Sequence, residues 1–224
     1  MIQSTSLGGT ERPPGRLLYR GAEADLFRGS WEGLDAVFKV RKRLPYRLRE
    51  LDEAIRRQRT IHEAEMIGLA KGAGVSAPHL YFVDPASCTM VMEFIEGERL
   101  KDVVPRMSPG ELGTIFRLLG RDIARLHASG IMHGDLTTAN IVRKGDRLIF
   151  LDFGLSIHSD RVEDHAVDLR LIKETLSGAH SKVAQAAMAH LLEGYRDGVG
   201  SGRAKQVQKQ LLSIERRGRY ARLG

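Results

Sequence analysis

The chain of 224 residues carries 35 Lys and Arg against 28 Asp and Glu, a formal net charge of +7, and is 42% hydrophobic. That is enough apolar material for a real core under a charged surface. Its one cysteine, Cys88, excludes an intrachain disulfide framework and a cysteine zinc cluster. No apolar run approaches the length of a membrane span, and the first fifteen residues are polar with Gly and Pro rather than a signal peptide. The expectation is a cytosolic protein with no membrane contact.

In chain order, the first forty residues read as strands. Within them Leu18-Tyr19-Arg20-Gly21-Ala22-Glu23-Ala24-Asp25-Leu26 falls between two strand patterns, and Gly21 allows backbone N–H groups to approach phosphate closely. Glu23 would bring an anion towards other anions there unless it pairs with a cation or magnesium. Read alone, the loop is equally a plain hairpin turn. Ala36-Val37-Phe38-Lys39-Val40 is a strand with one charge in an apolar run, suited to a phosphate-holding lysine and equally to a lysine snorkelling from a strand. A helical region follows from about Pro45 to Lys71. In it Ile61, Ala64 and Leu69 with the neighbouring Ile67 give a rough apolar face, and Glu63, with Glu65 as competitor, is the candidate partner of Lys39. Strands around residues 80–83 and 89–94 lead into Glu93-Phe94-Ile95-Glu96-Gly97, a candidate hinge. Beyond it the chain reads as mainly helical. Leu112, Ile115, Phe116, Leu119, Ile123 and Leu126 mark one buried helix, with Gly130 as its stop.

The most informative stretch is His133-Gly134-Asp135-Leu136-Thr137-Thr138-Ala139-Asn140, followed by Asp152-Phe153-Gly154. Between them Ile141-Val142-Arg143 and Leu148-Ile149-Phe150-Leu151 read as two strands closed by Lys144-Gly145-Asp146, a hairpin that returns Asp152 to the end where Asn140 lies. A proton acceptor at Asp135 with metal ligands at Asn140 and Asp152 is the layout of a protein-kinase-like centre. Phosphoryl transfer needs a group that orients the attacking hydroxyl and magnesium that spreads charge on the phosphate oxygens. In that layout Lys39 and Glu63 form the nucleotide pair, Leu18, Gly21, Ala22, Glu23, Ala24 and Leu26 line the phosphate loop, and Glu93, Phe94 and Ile95 meet the adenine of ATP. The expected fold is α+β and protein-kinase-like, with a small β-rich N-lobe over residues 1–96 and a compact, mainly helical C-lobe over 97–224.

The departures are as informative. A regulated protein kinase carries Arg where this chain has Gly134, and an Ala-Pro-Glu motif that is absent here. Thr137 stands where a phosphate-contacting Lys is usual. Thirteen residues separate Gly154 from Asp168, which is expected to anchor the catalytic loop from a following helix. The pattern predicts an enzyme that is not switched by loop phosphorylation and is poorly built for a general peptide. Water, its own hydroxyls or a partner-bound group remain open as acceptor.

Several segments together resemble the small atypical kinase of the KEOPS complex, the PRPK-like family. They are Gly21-Ala22-Glu23-Ala24, Tyr46-Arg47 with Leu51-Asp52, Arg59-Thr60 with Glu63-Ala64, Met92-Glu93 with Gly97, His133 through Asn140, Asp152 through Ser156, Ala166-Val167-Asp168-Leu169 and Arg217-Gly218-Arg219. The doubled threonine after His-Gly-Asp-Leu is the most specific. The resemblance implies a Ser/Thr kinase or ATPase using ATP and Mg2+. It also implies work beside a Kae-type threonylcarbamoyl transferase and other KEOPS subunits, in formation of threonylcarbamoyladenosine in tRNA. By position it gives Lys39 and Glu63 the nucleotide pair, Asp135 the acceptor role, and Asn140 and Asp152 the metal.

Charge is uneven. Residues 203–224 hold seven Arg or Lys (Arg203, Lys205, Lys209, Arg216, Arg217, Arg219, Arg222) against Glu215, which is +6 of the +7. A basic tail suits tRNA contact, with Arg216, Arg217, Arg219 and Arg222 as candidates, and equally suits a solvated tail. Arg41 to Arg59 is a second basic stretch, where Leu48, Leu51 and Ile55 suggest a partner-docking face. Two other functions stay open: a small-molecule phosphotransferase of the aminoglycoside or choline kinase type, and a nucleotide-binding scaffold without turnover.

Overall fold

A computed structural model describes the backbone of residues 15–220 and the side chains of residues 15–217. The chain divides into two compact units. One takes the chain up to Glu65 together with Pro78–Ile95, the other takes Met66–Ala77 together with the chain from Glu96.

The first unit is built on an antiparallel sheet of β1 (Arg16–Arg20), β2 (Ala24–Trp31), β3 (Leu34–Arg41), β4 (Leu80–Asp84) and β5 (Thr89–Glu93), in the order β1-β2-β3-β5-β4. The β2–β3 hairpin turns at Glu32 and Gly33, both at positive φ, and pairs Trp31 with Leu34. Alternation along β3 sends Ala36 and Phe38 into an apolar cluster with Val91, against which Phe27, Trp31, Tyr81 and Phe82 pack. The intervening positions Lys39 and Arg41 share the opposite face of the strand and are both buried.

Helix α1 (Arg49–Gly72) begins four residues later than the sequence suggests. Asp52 is fully buried near its start, accepting from the Leu44 amide at 3.2 Å and from Arg56 at 2.8 Å. The expected apolar face is corrected. Ile61 and Leu69 are exposed, and the buried positions are Thr60, Glu63, Met66, Ile67 and Ala70, spaced three and four apart. Thr60 satisfies its hydroxyl on the Arg56 carbonyl at 2.9 Å. Leu48 and Leu51 are exposed, with the adjacent Tyr46 at 78% exposure.

In the second unit the Ser76 carbonyl accepts from the Phe150 amide at 2.8 Å, which ties the segment after α1 to the hairpin described next. The unit contains β6 (Glu98–Arg99), α2 (Leu100–Val103), α3 (Pro109–Ala128), β7 (Ile131–Met132), β8 (Ile141–Lys144), β9 (Arg147–Phe150), β10 (Ile157–His158), α4 (Val162–Ala179) and α5 (Ala184–Tyr220). Ser108 and Glu111 cap α3 reciprocally, with Pro109 in its first turn. All six of its predicted apolar positions are buried. α3 and α5 touch backbone to backbone: a Cβ on Gly120 would sit 2.0 Å from the Leu191 carbonyl oxygen, and one on Gly194 2.0 Å from that of Arg117.

The basic stretch has structure of its own. Through Tyr220 it is helix, broken at Gly200, with Ala204, Val207, Leu211 and Ile214 buried. Lys173 pairs with Glu215 at 2.7 Å and Arg217 with Glu163 at 3.2 Å, tying this stretch to α4. Arg216 and Arg217 are exposed; the side chain of Arg219, and Arg222 altogether, lie outside the described residues. Among the described residues no helix is long and apolar enough to cross a membrane.

Candidate functional site

Two constellations matter, one in each unit. In the first, Lys39 Nζ donates to Glu63 Oε1 at 2.6 Å, and Glu63 is 1% exposed. Glu65 is exposed, so the helix register favours Glu63. The other carboxylate oxygen, Oε2, accepts from Arg41 Nη2 at 2.5 Å. Sequence reasoning missed Arg41; the signal was its position two residues after Lys39, which places both cations on one face of β3.

The loop before β2 is tied down by its own charges. Gly21 N–H donates to the Ala24 carbonyl at 3.0 Å, and a Cβ at Gly21 would meet that oxygen at 2.6 Å. Lys42 donates to the Gly21 carbonyl at 2.5 Å and pairs with Asp25 at 3.2 Å. Glu23, whose charge would repel phosphate, pairs with Arg59 and, at 3.4 Å, with Arg47. Partial burial works against its ionised form, but the two guanidinium groups outweigh this and hold its carboxyl below the usual range. Leu18 is exposed on β1, Ala22 lies in the turn, Ala24 opens β2, and Leu26 pairs with Lys39 across the hairpin. At the end of β5 the Glu93 amide donates to His79 O at 2.8 Å, and just after it the Phe94 amide donates to Asp35 O at 3.2 Å, while Arg28 lies 3.8 Å over the Phe94 ring.

In the second unit the β8–β9 hairpin has the predicted form with a tighter turn, Gly145-Asp146, and Ile141 opposite Phe150. Leu151 N–H donates to Asn140 O at 2.8 Å, so the residues flanking the hairpin are held side by side. Asn140 Nδ2 donates to the Asp135 carboxylate at 2.8 Å and to the Asp135 carbonyl at 3.0 Å. With the side-chain nitrogen so engaged, the side-chain oxygen Oδ1 is the atom turned to other use. Asp152 has φ +59, a left-handed backbone rare outside glycine and concentrated at functional sites. An amide oxygen and a carboxylate suit Mg2+, which is held by one or two protein oxygens with phosphates and water completing its shell. Among the described residues no group of three or more His, Cys, Asp and Glu could hold a metal unaided.

The loop carrying Asp135 is clamped from behind. Asp168 of α4, fully buried, accepts from the His133 amide at 2.6 Å and the Gly134 amide at 2.9 Å, as the sequence suggested. Burial opposes its charge, but the hydrogen bonds from His127 at 3.2 Å and from the His133 amide outweigh that and keep its carboxyl below the ordinary range. His127 in turn meets the Tyr195 hydroxyl at 2.9 Å. Ser156 Oγ donates to His133 O at 2.9 Å. The His133 ring lies between the Leu151 carbonyl at Nε2, 3.2 Å, and the Asp135 amide at Nδ1, 3.3 Å, and burial lowers its pKa. Donating at one nitrogen and accepting at the other, it is a neutral imidazole. Thr138 is buried beside His180 at 3.3 Å, which accounts for one member of the threonine pair by packing. His127 and Tyr195 carried no signal in the sequence, and Ser156 only as the end of the Asp152–Ser156 segment.

Comparison with known proteins agrees with this geometry. A model described as "Protein kinase domain" matches residues 37–176. The "KEOPS complex subunit Bud32" of Pyrococcus abyssi is 36% identical over 211 residues, covering 92% of this chain and 96% of that protein. The "Probable bifunctional tRNA threonylcarbamoyladenosine biosynthesis protein" of Methanothermobacter thermautotrophicus is 40% identical over 215 residues. This chain spans only 38% of that relative's length. The Rio2 kinase of Chaetomium thermophilum, solved with ADP, Mg2+ and phosphoaspartate, superposes with a TM-score of 0.61 at 18% identity, over 92% of this chain and 70% of that one, a likeness of fold alone. With the kinase-domain match running over more than half of its residues and the Pyrococcus relative aligned over nearly all of its own, this chain belongs to the protein kinase family and, within that α+β fold, to the Bud32 group.

Proposed function

We propose that the protein is an ATP-dependent phosphotransferase with ATPase activity, acting in a KEOPS-type assembly that supports threonylcarbamoyladenosine formation in tRNA. The observation that carries the chemical part is the Asn140 side chain: its Nδ2 donates to the Asp135 carboxylate and carbonyl, which leaves Oδ1 for a metal ion, so that one group both orients the acceptor and offers a metal ligand. Asp135 is assigned the acceptor of the attacking hydroxyl's proton, and Asn140 with Asp152 the holding of Mg2+, which would neutralise charge on the phosphate oxygens. Lys39, positioned by Glu63, is assigned the α and β phosphates of ATP. Backbone of the loop 18–26 is assigned to the phosphates, with Glu23 neutralised by Arg59 and Arg47. Since the Glu93 and Phe94 amides are spent inside their unit, a hinge donor to the adenine ring falls to Ile95.

The biological part rests on the relatives, whose printed names concern the KEOPS complex and tRNA threonylcarbamoyladenosine biosynthesis. A Kae-type transferase, other KEOPS subunits and tRNA are therefore the proposed partners, with Arg216, Arg217, Arg219 and Arg222 as candidate tRNA contacts, and a cytoplasmic location goes with that role. The test is magnesium-dependent ATP turnover with Asp135→Ala and Asp152→Ala. Both are expected to lose on the order of a hundredfold or more. Asp152→Ala should also weaken magnesium-nucleotide binding, whereas Asp135→Ala should bind as wild type does. Wild-type turnover in either variant would sink the assignment.

A further inference from the structure

We infer that Arg41 is a positioning residue for the nucleotide lysine: it holds Glu63 neutralised and in place, so that Lys39 can engage phosphate without abandoning a buried carboxylate. This rests on the phosphotransferase reading and deepens it.

The argument begins at β3. Residues two apart on a strand share a face, which sets Lys39 and Arg41 side by side towards the helix that carries Glu63. Glu63 then divides its oxygens between them, Oε1 to Lys39 at 2.6 Å and Oε2 to Arg41 at 2.5 Å, and all three side chains are at least nine-tenths buried. The same Arg41 nitrogen reaches the carbonyl of Arg59 at 3.3 Å, one helical turn before Glu63, so a single guanidinium grips two successive turns of α1. Its main chain is fixed too, the amide donating to the Cys88 carbonyl at 3.1 Å and the carbonyl accepting from Arg56 at 3.4 Å.

A pair made only of lysine and glutamate has a built-in conflict. When the ammonium turns its donors to a phosphate, the buried carboxylate loses its only cation, and an uncompensated buried charge is costly. A second cation on the other oxygen removes that conflict, and the three groups together carry a formal +1, favourable for an anionic ligand. Arginine suits the place because it stays charged when buried and its planar fork serves the carboxylate and the helix carbonyl together.

The experiment is steady-state ATP turnover and nucleotide affinity for Arg41→Met, Arg41→Gln and Arg41→Lys, alone and with Glu63→Gln, beside Lys39→Met. Arg41→Met and Arg41→Gln should raise the nucleotide KM by about tenfold while kcat changes less, the mark of lost ligand binding. Arg41→Lys, which keeps the charge, should recover most of that. In the Glu63→Gln background Arg41→Met should add little, since the two act as one unit. If Arg41→Met does not fold, Arg41→Gln carries the comparison. A lowered melting temperature with an unchanged KM, or an equal KM cost with and without Glu63, would show a merely structural arginine and overturn the inference. ATP turnover absent from the wild type, or retained in Lys39→Met, would instead refute the nucleotide reading itself and this inference with it.

Discussion

Gly134 stands where a regulated kinase carries arginine, and the structure shows why no side chain fits. Its φ is +80, and a Cβ placed there would lie 2.2 Å from the Leu155 carbonyl oxygen and 2.8 Å from the carbonyl carbon. What it meets is main chain, and neither side is at liberty to withdraw. The Gly134 amide is held by Asp168 at 2.9 Å, and the turn opposite is tied through Ser156 to His133 O at 2.9 Å. A left-handed non-glycine residue costs about 1–2 kcal/mol, and forcing atoms into a packed site about 1–3 kcal/mol. Gly134→Ala should therefore lose roughly 2–5 kcal/mol in denaturant unfolding, taking the sum of those two contributions. ATP turnover should fall with it, because the strain lands on the peptide next to Asp135. Gly145→Ala is the control: its φ is +60 but a Cβ there meets nothing within 4 Å, so only the first contribution should show, about 1 kcal/mol. A Gly134→Ala protein within about 0.5 kcal/mol of wild type, the range of ordinary surface changes, would refute the reasoning.

Two further outcomes are expected. His165 is pushed by burial, the neighbouring His127 and Arg203 from 6.5 down to about 4, and it donates to Ser159 O while accepting from Arg203. A folded pKa below the unfolded one means stability complete above pH 6.5 and lost as pH falls towards 4, by at most about 3 kcal/mol; denaturant unfolding of His165→Gln against wild type should show a flatter slope in that window, and parallel slopes would discard the idea. Removal of residues 216–224 takes away four Arg, and with Arg217 the pair to Glu163, but keeps the buried Ile214 and the Lys173–Glu215 pair to α4; tRNA affinity should weaken and its salt dependence flatten by up to about 0.7–0.9 in log–log slope per lost phosphate contact, with basal ATPase unchanged, whereas identical affinities across a salt series would dismiss those arginines as contacts.

The sequence made the Asp135, Asn140 and Asp152 constellation legible because a hairpin of fixed length separates its parts, and hairpin length is set by turn chemistry that is local. Helix α1 was harder. Counting apolar residues points to Ile61, Ala64, Ile67 and Leu69, of which only Ile67 is fully buried, while the buried face includes Thr60 and Glu63, whose burial depends on partners elsewhere in the chain: the Arg56 carbonyl for one, Lys39 and Arg41 for the other. A polar residue buried by satisfaction of its hydrogen bonds leaves no trace in hydropathy. The basic run near the C-terminus hid its own structure in a similar way. Ala204, Val207, Leu211 and Ile214 form a helical stripe, but they are outnumbered by charges that lie on the other face.

The two constellations have one principle in common. Where a switched kinase loop waits for a phosphate to give its arginine a partner, each unit here fixes its key groups with charges present from synthesis. In the second unit the clamp is a carboxylate from α4, Asp168, steadied by an imidazole from α3, His127, which is itself met by a phenol from α5, Tyr195, whose ionisation burial disfavours. The loop's two amides, at His133 and Gly134, are satisfied by that carboxylate alone, so the backbone leading to Asp135 has its hydrogen bonds without an added group. In the first unit Arg41 does the same for Glu63, and Arg59 and Arg47 for Glu23. Glycine at position 134 follows from this arrangement. With Asp168 holding the loop by both amides and Leu155 this close to position 134, there is no room for a Cβ and so none for the arginine of a switched loop.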